Sequence, residues 1–160
     1  MRAVIQRVAE ASVTVGGTLT GRIGSGLLVY LGVADDDGPG DARWIAEKTC
    51  GLRIFDDSEG RMNLSVLEAA AELGRPAAVL AVSQFTLMGD ARKGRRPSWA
   101  KAAGHEKART LYGLFMEEIR KRGLACESGE FGAEMMVASV NSGPVTILLD
   151  TREAGNLGEG

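Results

Sequence analysis

The chain has 160 residues, of which 44% are hydrophobic and 25% charged, and its formal net charge is −2. This composition is typical of a soluble globular protein and argues against disorder, and the length suits one domain with a real core. The opening stretch MRAVIQRVAEASVTV lacks the apolar centre of a signal peptide, and no run reaches the ~18 residues of a membrane span, so we expect a cytoplasmic protein without a membrane partner.

The first half of the chain predicts a mostly β core. Alternating apolar residues from Ala3 to Val15 indicate a strand, and a Gly-Gly turn leads into a second strand pattern, TLTGRIGSGLLVYLGVA. Asp41 is a candidate N-cap for a short helix, whose apolar face would carry Ile45, Thr49 and Leu52. The stretch RIFDDSEGRMNLSV indicates a pair of strands around a Ser-Glu-Gly turn.

The second half adds a buried strand, a long helix and a final pair of strands. A strongly apolar run predicts a strand from Ala77 to Met88. A basic segment then leads into a helix with Gly123 as its C-cap, which buries Leu111, Phe115 and Ile119 on the sheet. The stretch NSGPVT at 141–146 lies between the apolar runs MMVASV and VTILLD, which predicts a hairpin connection. We expect the tail at 153–160 to be poorly ordered, which leaves residues 1–152 as the domain.

The pair Gly143-Pro144 is unusual for a tight hairpin. Asn-Gly or Asp-Gly adopts positive φ at little cost, whereas proline fixes φ near −65° and removes a backbone donor. Only ~5% of X-Pro bonds in folded proteins are cis, so the residues alone favour a trans proline in a turn. The choice nevertheless suggests that this loop does more than reverse the chain.

Polar residues follow the apolar strand in the motif SQFTL at 83–87. In an extended strand Gln84 and Thr86 would share one face, and Ser83 and Phe85 the other. Such groups can bond to nearby backbone at the rim of a sheet, or they can form a site at the end of the strand. The pattern leaves both interpretations open.

Few residues could activate a nucleophile or hold a metal. The only histidine, His105, stands in AAGHEKA, where we expect a solvated imidazole in the first turns of the long helix. Without an adjacent base, Ser83 or Thr86 is a poor nucleophile, which argues against a hydrolase of the triad type. Cys50 and Cys126 show no paired spacing, so we expect buried thiols, and neither a disulfide, a metal nor a cofactor.

A basic segment runs into the long helix, with Glu106 as its only acid. It is either a solvated surface or a phosphate-binding patch with salt-dependent affinity for nucleic acid. Trp99 alone does not make a base-stacking platform. The cations of this segment are Arg92, Lys93, Arg95, Arg96, Lys101, Lys107 and Arg109.

Four motifs stand in an order that resembles the D-aminoacyl-tRNA deacylases: SQFTL at 83–87, KGRRPSW at 93–99, FGAEMMV at 131–137 and NSGPVT at 141–146. The opening stretch also resembles the start of that family, so the resemblance covers essentially the whole chain. It implies a single-domain α/β fold with a β-barrel-like sheet core and two main helices. It also implies a homodimer whose active sites lie at the subunit interface.

The resemblance further implies an activity, the hydrolysis of the ester between a D-amino acid and the 3′ end of tRNA. In the family the Gly-Pro bond, here Gly143-Pro144, is cis, and the pair from one subunit lies in the active site of the other. Its backbone would hold the substrate's ammonium group and exclude an L side chain, while glycine would be accepted. The 2′-hydroxyl of the terminal adenosine would assist the reaction.

The same resemblance assigns the site residues. Thr86 and Gln84 would position the substrate rather than attack it, and backbone N–H groups near Phe85 and Thr86 would stabilise the oxyanion. Arg7 would brace the Gly-Pro loop. The substrate-binding residues would be Ser83, Phe85, Phe131, Met135, Gly143 and Pro144, and the tRNA-binding residues Arg92, Lys93, Arg95 and Arg96.

The sequence also fits two other functions. The basic segment at 92–109 could serve a nucleic-acid-binding module without catalysis, which would bind uncharged RNA or duplex DNA in a salt-sensitive way. A general small-ester hydrolase would instead cleave substrates that lack the terminal 2′-hydroxyl.

Overall fold

A computed structural model describes residues 1–72, 74, 76–92 and 94–154 of the chain. Groups of one to three strands are separated by single helices along it, with a 3₁₀ turn at Phe85–Met88. The strands are β1 Arg2–Val15, β2 Thr18–Ile23, β3 Gly26–Gly32, β4 Phe55–Asp56, β5 Met62–Leu64, β6 Ala78–Ser83, β7 Ala125–Ser128 and β8 Met136–Asp150. The helices are α1 Pro39–Gly51, α2 Val66–Glu72, α3 His105–Lys121 and α4 Thr151–Ala154.

The main sheet has six strands in the order β2-β1-β3-β6-β7, with β8 paired to β1. The long strand β1 is the centre of this sheet. On one edge, its first half pairs with β3 and its second half with β2, and on the other edge it pairs with β8 along nearly its whole length. The sheet curls until β2 comes close to β7. A Cβ built on Gly21 of β2 would lie 2.5 Å from the carbonyl oxygen of Ser128. A residue without a side chain is therefore required where the curled sheet nearly closes.

Strands β3 and β6 are buried on both faces, as expected for neighbouring parallel strands. One face packs against α1 and α3, where the core includes the long-helix residues Leu111, Phe115 and Ile119. The opposite face lies inside the curled sheet and packs Leu28 and Leu80 against β1. These layers confirm the predicted α/β fold with a barrel-like sheet and two main helices, α1 and α3.

Two helix ends differ from the sequence prediction. Helix α1 begins at Pro39, and its N-cap is Gly38 rather than Asp41. Asp41 occupies the third helical position, where its carboxylate accepts a hydrogen bond from the Gly38 backbone N–H at 2.8 Å. Proline is favoured at the first position because its missing N–H would have no helical partner there. Helix α3 ends at Lys121, so Gly123 follows the C-cap residue Arg122, with a φ of 88°.

The hairpin predicted at NSGPVT is wrong, because β8 runs through this stretch as one strand. Both halves of β8 pair antiparallel with β1: Thr146 faces Gln6, and Asn141 faces Val8. Residues 142–145 therefore bulge out of β8 opposite the single residue Arg7. The two apolar runs look like separate strands in the sequence, yet the 14-residue β1 is long enough to pair with both.

The start of β1 is joined to the end of β8. The Met1 ammonium group is buried and donates to Asp37 Oδ1 at 2.5 Å and to Thr151 Oγ1 at 2.6 Å. Helix α4 follows β8 directly, so residues 153 and 154 of the expected tail are helical, while 155–160 lie outside the described residues. In the described part of the chain, no helix combines the length and apolar character of a membrane span.

Candidate active site

The chain turns sharply after β6, so the predicted strand to Met88 is wrong beyond Ser83. The Gln84 N–H still donates to the Leu31 carbonyl at 2.9 Å, and a 3₁₀ turn then begins at Phe85. The turn sits tightly on Gly32 of β3, where an added Cβ would lie 2.9 Å from the Gln84 carbonyl oxygen. The SQFTL motif is thus a turn held at the end of the sheet, and the alternation of faces expected for a strand does not apply to it.

A cavity of about 380 Å³ opens beside this turn. It lies between the end of β6, the first turns of α3 and the segment at 131–137. Its wall is mainly apolar, with a few polar groups at the side of the turn, an arrangement typical of small-ligand sites. The lining residues are Leu31, Val33, Val82, Ser83, Gln84, Phe85, Ala102, Ala103, His105, Ala108, Tyr112, Phe131, Gly132, Ala133, Met135 and Val137.

Three rings form one wall of the cavity. The Tyr112 hydroxyl donates to the Ala81 carbonyl of β6 at 2.9 Å, which fixes the ring against the sheet. Burial raises the pKa of Tyr112, so the phenol stays protonated and keeps this hydrogen bond at neutral pH. Phe131 packs between Tyr112 and His105, with ring-centroid distances of 5.5 and 5.2 Å. The wall offers apolar ring surface to a ligand, with the rings inclined to one another by 74° and 47°.

His105 is exposed, as predicted, but it has contacts that the flanking sequence does not indicate. Its ring stands edge-on to Phe131 at 74°, and its Nδ1 lies 3.1 Å from Glu106 Oε1. With 61% of its side chain accessible, it forms the rim of the cavity rather than its floor. His105 and Tyr112 are the two cavity residues with polar groups that sequence reasoning did not assign to a site.

Thr86 has no basic partner among the described residues. Its hydroxyl oxygen accepts a hydrogen bond from the Gln84 side-chain amide, and an amide cannot take up a proton. The backbone N–H groups of Phe85 and Thr86 have no acceptor within the described chain. The turn therefore presents free backbone donors beside a hydroxyl that is not activated as a nucleophile.

The bulge of β8 carries the other predicted motif. The Gly143–Pro144 peptide bond is cis, and both residues are exposed. Gly143 has a φ of 131°, which side chains rarely allow, and an added Cβ would lie 2.7 Å from Val145 Cγ2. Asn141 Oδ1 accepts the Val145 N–H at 2.9 Å and closes the loop.

Arg7 lies opposite the bulge and contacts it, as expected. Its Nε donates to the Ser142 carbonyl at 3.0 Å, and its Nη1 donates to the Ile54 carbonyl at 2.7 Å. Asp56 Oδ1 is 3.2 Å from the same Nη1. One guanidinium therefore ties the loop to the segment that follows α1.

The basic segment forms a loop between the turn and α3. Asp90 and Ser98 exchange two backbone hydrogen bonds of 2.9 Å, which close its base. Arg92 is engaged bidentately by Asp90, and this contact holds the pKa of the Asp90 carboxyl well below its usual range. Among the residues described, Arg95 and Arg96 have no carboxylate within 4.0 Å. Lys93 lies outside the described residues.

The structure brings most of the predicted substrate-binding residues together in one cavity. Ser83, Gln84 and Phe85 reach it from the turn, and Phe131 and Met135 from the opposite side. Thr86 lies beside the cavity on the same turn. Gly143 and Pro144 do not line it, because the bulge is placed next to Arg7.

The family model that matches this chain and two of its relatives carry the description of a tRNA deacylase. Residues 4–150 match the family model described as D-Tyr-tRNA(Tyr) deacylase. A D-aminoacyl-tRNA deacylase of Syntrophobacter fumaroxidans is 58% identical over 153 residues, which cover 96% of this chain and 99% of that protein. The protein of that name from Thermotoga petrophila is 52% identical over 151 residues, covering 94% and 97%.

Two solved structures share the fold. A protein described as c-Myc DNA Unwinding Element Binding Protein superposes with a TM-score of 0.85 at 39% identity, covering 94% of this chain and 98% of that one. A structure described as a probable eukaryotic D-amino acid tRNA deacylase has a TM-score of 0.75 at 19% identity, covering 93% and 98%. The second likeness bears on the fold alone.

Proposed function

The chain belongs to the D-aminoacyl-tRNA deacylase family, a family of ester hydrolases, and from this premise we propose how its site works. The activity is hydrolysis of the ester between a D-amino acid and tRNA. We propose which region holds each part of the substrate, how the site selects D- over L-amino acids, and which groups accelerate hydrolysis of the ester.

The aromatic cavity is proposed to hold the terminal adenosine of the tRNA. Its volume of about 380 Å³ and its mainly apolar wall suit a flat nucleobase. Phe131 and Met135 would contact the ring, and Ser83 would supply a polar group near the sugar. This placement directs the 3′ ester toward the turn at Phe85–Met88.

The turn is proposed to receive the ester. The free N–H groups of Phe85 and Thr86 would donate to the oxyanion of the tetrahedral intermediate, a role worth several kcal/mol where such donors have been removed from enzymes. Gln84 and Thr86 would position the ester, because Thr86 has no base beside it. The 2′-hydroxyl of the terminal adenosine would assist, since a well-placed neighbouring group can reach effective molarities of order 10⁵–10⁸ M.

Chirality is proposed to depend on Gly143 and Pro144. Their backbone would hold the ammonium group of the substrate and occupy the space that an L side chain needs. A D side chain would point away into open space, and glycine would be accepted because it has nothing to exclude. Selectivity of this kind comes from a clash with the wrong isomer rather than from stronger binding of the right one.

The site is proposed to need a second copy of the chain. The observation that carries this part is that Gly143 and Pro144 are exposed and do not line the cavity of their own chain. In a homodimer, the loop of one subunit would complete the cavity of the other. Met136 and Val140 of β8 expose 74% and 52% of their surfaces, which offers apolar area for such an interface.

Mixing two inactive variants tests this shared site. Phe131→Asp would replace a ring of the cavity wall by a carboxylate, and Gly143→Ala would displace the loop in an otherwise intact chain. A mixed dimer pairs one intact cavity with one intact loop, so random exchange should restore about a quarter of the wild-type rate. No recovery, although both variants fold and exchange subunits, would place the complete site within one chain.

The acceptor end of the tRNA is proposed to bind the basic loop through its phosphates. Arg95 and Arg96 are exposed, and Arg92 and Lys93 belong to the same segment. Contacts of this kind weaken as salt rises because counterions are released on binding. They would position the tRNA without reading its sequence.

Hydrolysis of matched esters tests the whole proposal. D-tyrosyl-, L-tyrosyl- and glycyl-tRNA would be compared with D-tyrosyl-tRNA whose terminal adenosine is 2′-deoxy. We expect release of D-tyrosine and glycine, no release of L-tyrosine, and a large loss of rate without the 2′-hydroxyl. Equal cleavage of both tyrosyl isomers would exclude the chirality filter, and full activity on the deoxy ester would exclude substrate assistance.

A second candidate function is binding of nucleic acid without catalysis. It is favoured by the neighbour at 39% identity, which is described as a DNA unwinding element binding protein. Under this alternative the basic loop would bind uncharged RNA or duplex DNA in a salt-sensitive way. Such binding by a chain that cleaves none of the four esters would support it.

A further inference from the structure

Phe85 and Trp99 form an exposed aromatic pair at the edge of the cavity, with Phe85 lining the cavity and Trp99 outside it. Their ring centroids are 5.4 Å apart and the rings meet edge to face at 70°. Phe85 exposes 57% of its surface and Trp99 40%. We call this pair the aromatic ledge. Trp99 is therefore not isolated, since the turn after β6 supplies the second ring.

The ledge is held rigidly by the backbone beneath it. A Cβ added to Gly89 would lie 2.5 Å from Trp99 Cζ3, so the indole packs directly on the glycine backbone. The Trp99 carbonyl accepts the Ala102 N–H at 2.9 Å, and the Asp90–Ser98 backbone pair closes the loop just before it. An aromatic side chain fixed in this way loses little entropy when a ligand stacks on it.

The ledge has the adenosine cavity on one side and positive charge on the other. Phe85 lines the cavity, whereas Ser98 and Ala100, the neighbours of Trp99, line a cleft together with Arg96, Lys101 and the Asp90–Arg92 ion pair. Among the described residues, neither Arg96 nor Lys101 has a carboxylate within 4.0 Å. Exposed rings next to uncompensated cations are the combination that binds single-stranded nucleic acid.

We propose that the aromatic ledge stacks the nucleobase immediately 5′ of the terminal adenosine in the unpaired 3′ end of the tRNA, with its phosphate near Arg96 and Lys101. This inference rests on the proposed function, because it takes the adenosine in the cavity as its starting point. Base stacking on an aromatic ring is largely independent of sequence, so the ledge would accept any base at this position. The ledge adds a second anchor that fixes the direction in which the chain leaves the cavity.

Two variants and two substrates test the ledge. Trp99→Leu keeps an apolar side chain without a ring, and Trp99→Phe keeps a ring. With D-tyrosyl-tRNA, we expect Trp99→Leu to lower kcat/KM by roughly 5- to 150-fold, the loss of one base–aromatic stack, and Trp99→Phe to stay near wild type. With D-tyrosyl-adenosine, which has no preceding base, both variants should match the wild type.

The outcomes separate this inference from the proposed function. If the wild type cleaves both substrates and Trp99→Leu retains full activity on the tRNA, the ledge is not a stacking site. An equal loss on both substrates would assign Trp99 to the cavity instead. A changed oligomeric state of Trp99→Leu would assign the pair to contact between copies of the chain. If the wild type cleaves neither ester, the proposed function itself fails.

Fluorescence provides a direct readout of stacking. The chain has two tryptophans, so Trp44→Phe leaves Trp99 as the only indole. An acceptor-stem minihelix ending in CCA should quench its emission, and one with an abasic penultimate nucleotide should quench it much less. Equal quenching by both RNAs would overturn the proposed contact.

Discussion

Arg7 Nε donates a 3.0 Å hydrogen bond to the carbonyl oxygen of Ser142, across 135 positions of sequence. The contact joins the middle of β1 to the bulge of β8 at the point where the register between the two strands changes. Because Nη1 of the same guanidinium also donates to the Ile54 carbonyl, the loop is tied to two parts of the fold. Together with the Asn141 contact inside the loop, this planar side chain fixes the position of Gly143 and Pro144.

Replacing Arg7 by lysine should therefore impair activity more than folding. Lysine keeps the charge but cannot serve two carbonyl oxygens in the fixed geometry of a guanidinium. We expect kcat/KM for D-tyrosyl-tRNA to fall by roughly 10- to 100-fold, the worth of one charged hydrogen bond. Arg22→Lys is a suitable control, since Arg22 makes a solvent-exposed pair with Glu10. Wild-type kinetics of Arg7→Lys would show that the bulge does not need this anchor.

Removing the Thr86 hydroxyl should leave much of the rate. Thr86 accepts a hydrogen bond from the Gln84 amide and has no base among the described residues, so its loss removes an orienting contact only. We expect Thr86→Ala to retain activity within about tenfold of the wild type, the cost of one neutral hydrogen bond. Thr86→Ser is the matched control that keeps the hydroxyl. Near-total loss in the alanine variant alone, with the fold intact, would favour a threonine nucleophile.

The two arginines of the basic loop should differ in their contribution to tRNA binding. Arg92 is neutralised by Asp90, whereas Arg96 has no acidic partner among the residues described. For tRNA binding, we expect Arg96→Gln to reduce the steepness of the plot of log association constant against log salt concentration by about 1, the value for one lost phosphate contact. Arg92→Gln should change the slope less. Equal changes for both variants would mean that tRNA displaces Asp90 from Arg92 on binding.

The ion pair of Met1 should matter for stability. Its ammonium group and the Asp37 carboxylate are both buried, and Asp37 Oδ2 also accepts the Ala34 N–H at 2.5 Å. Removing one member of a buried pair costs about 3–5 kcal/mol, so Asp37→Asn should lower Tm by roughly 6–20 °C. The neighbouring Asp36 is exposed and pairs with Arg152, so Asp36→Asn should cause little change. Similar melting curves for both variants would contradict this difference.

The two thiols should be unreactive in the native protein. Burial raises the pKa of Cys50 and of Cys126 from an ordinary value near 9 to about 11, so almost no thiolate exists at pH 8. A thiol reagent should label neither residue until denaturant is added, and then both. The raised pKa also means that the native state keeps protons that the unfolded chain releases. Stability from this source is therefore lost as pH rises from about 9 to about 11. Rapid labelling of the native protein would contradict this environment.

Local patterns predicted the first strand and the long helix, but the strand pattern after the Gly-Gly turn is divided into β2 and β3. The alternation from Ala3 to Val15 appears as β1, and the apolar stripe of the long helix is buried against the sheet. These signals need only a few neighbouring residues, because periodicity records which face of an element is buried. The short helix α2 was missed, since its seven residues span too few turns to show a stripe.

The sequence by itself determined which residues could take part in the site, whereas their arrangement depended on contacts between distant segments. The motif SQFTL marked the turn, but only its packing on Gly32 decided that the strand ends at Ser83. The hairpin predicted around Gly143 is a bulge because β1 pairs with both halves of β8. Trp99 packs against Phe85 from another segment, and Arg92 forms a salt bridge with Asp90. Periodicity and turn propensity act over a few residues, but register, close packing and ion pairing are settled by the whole fold at once.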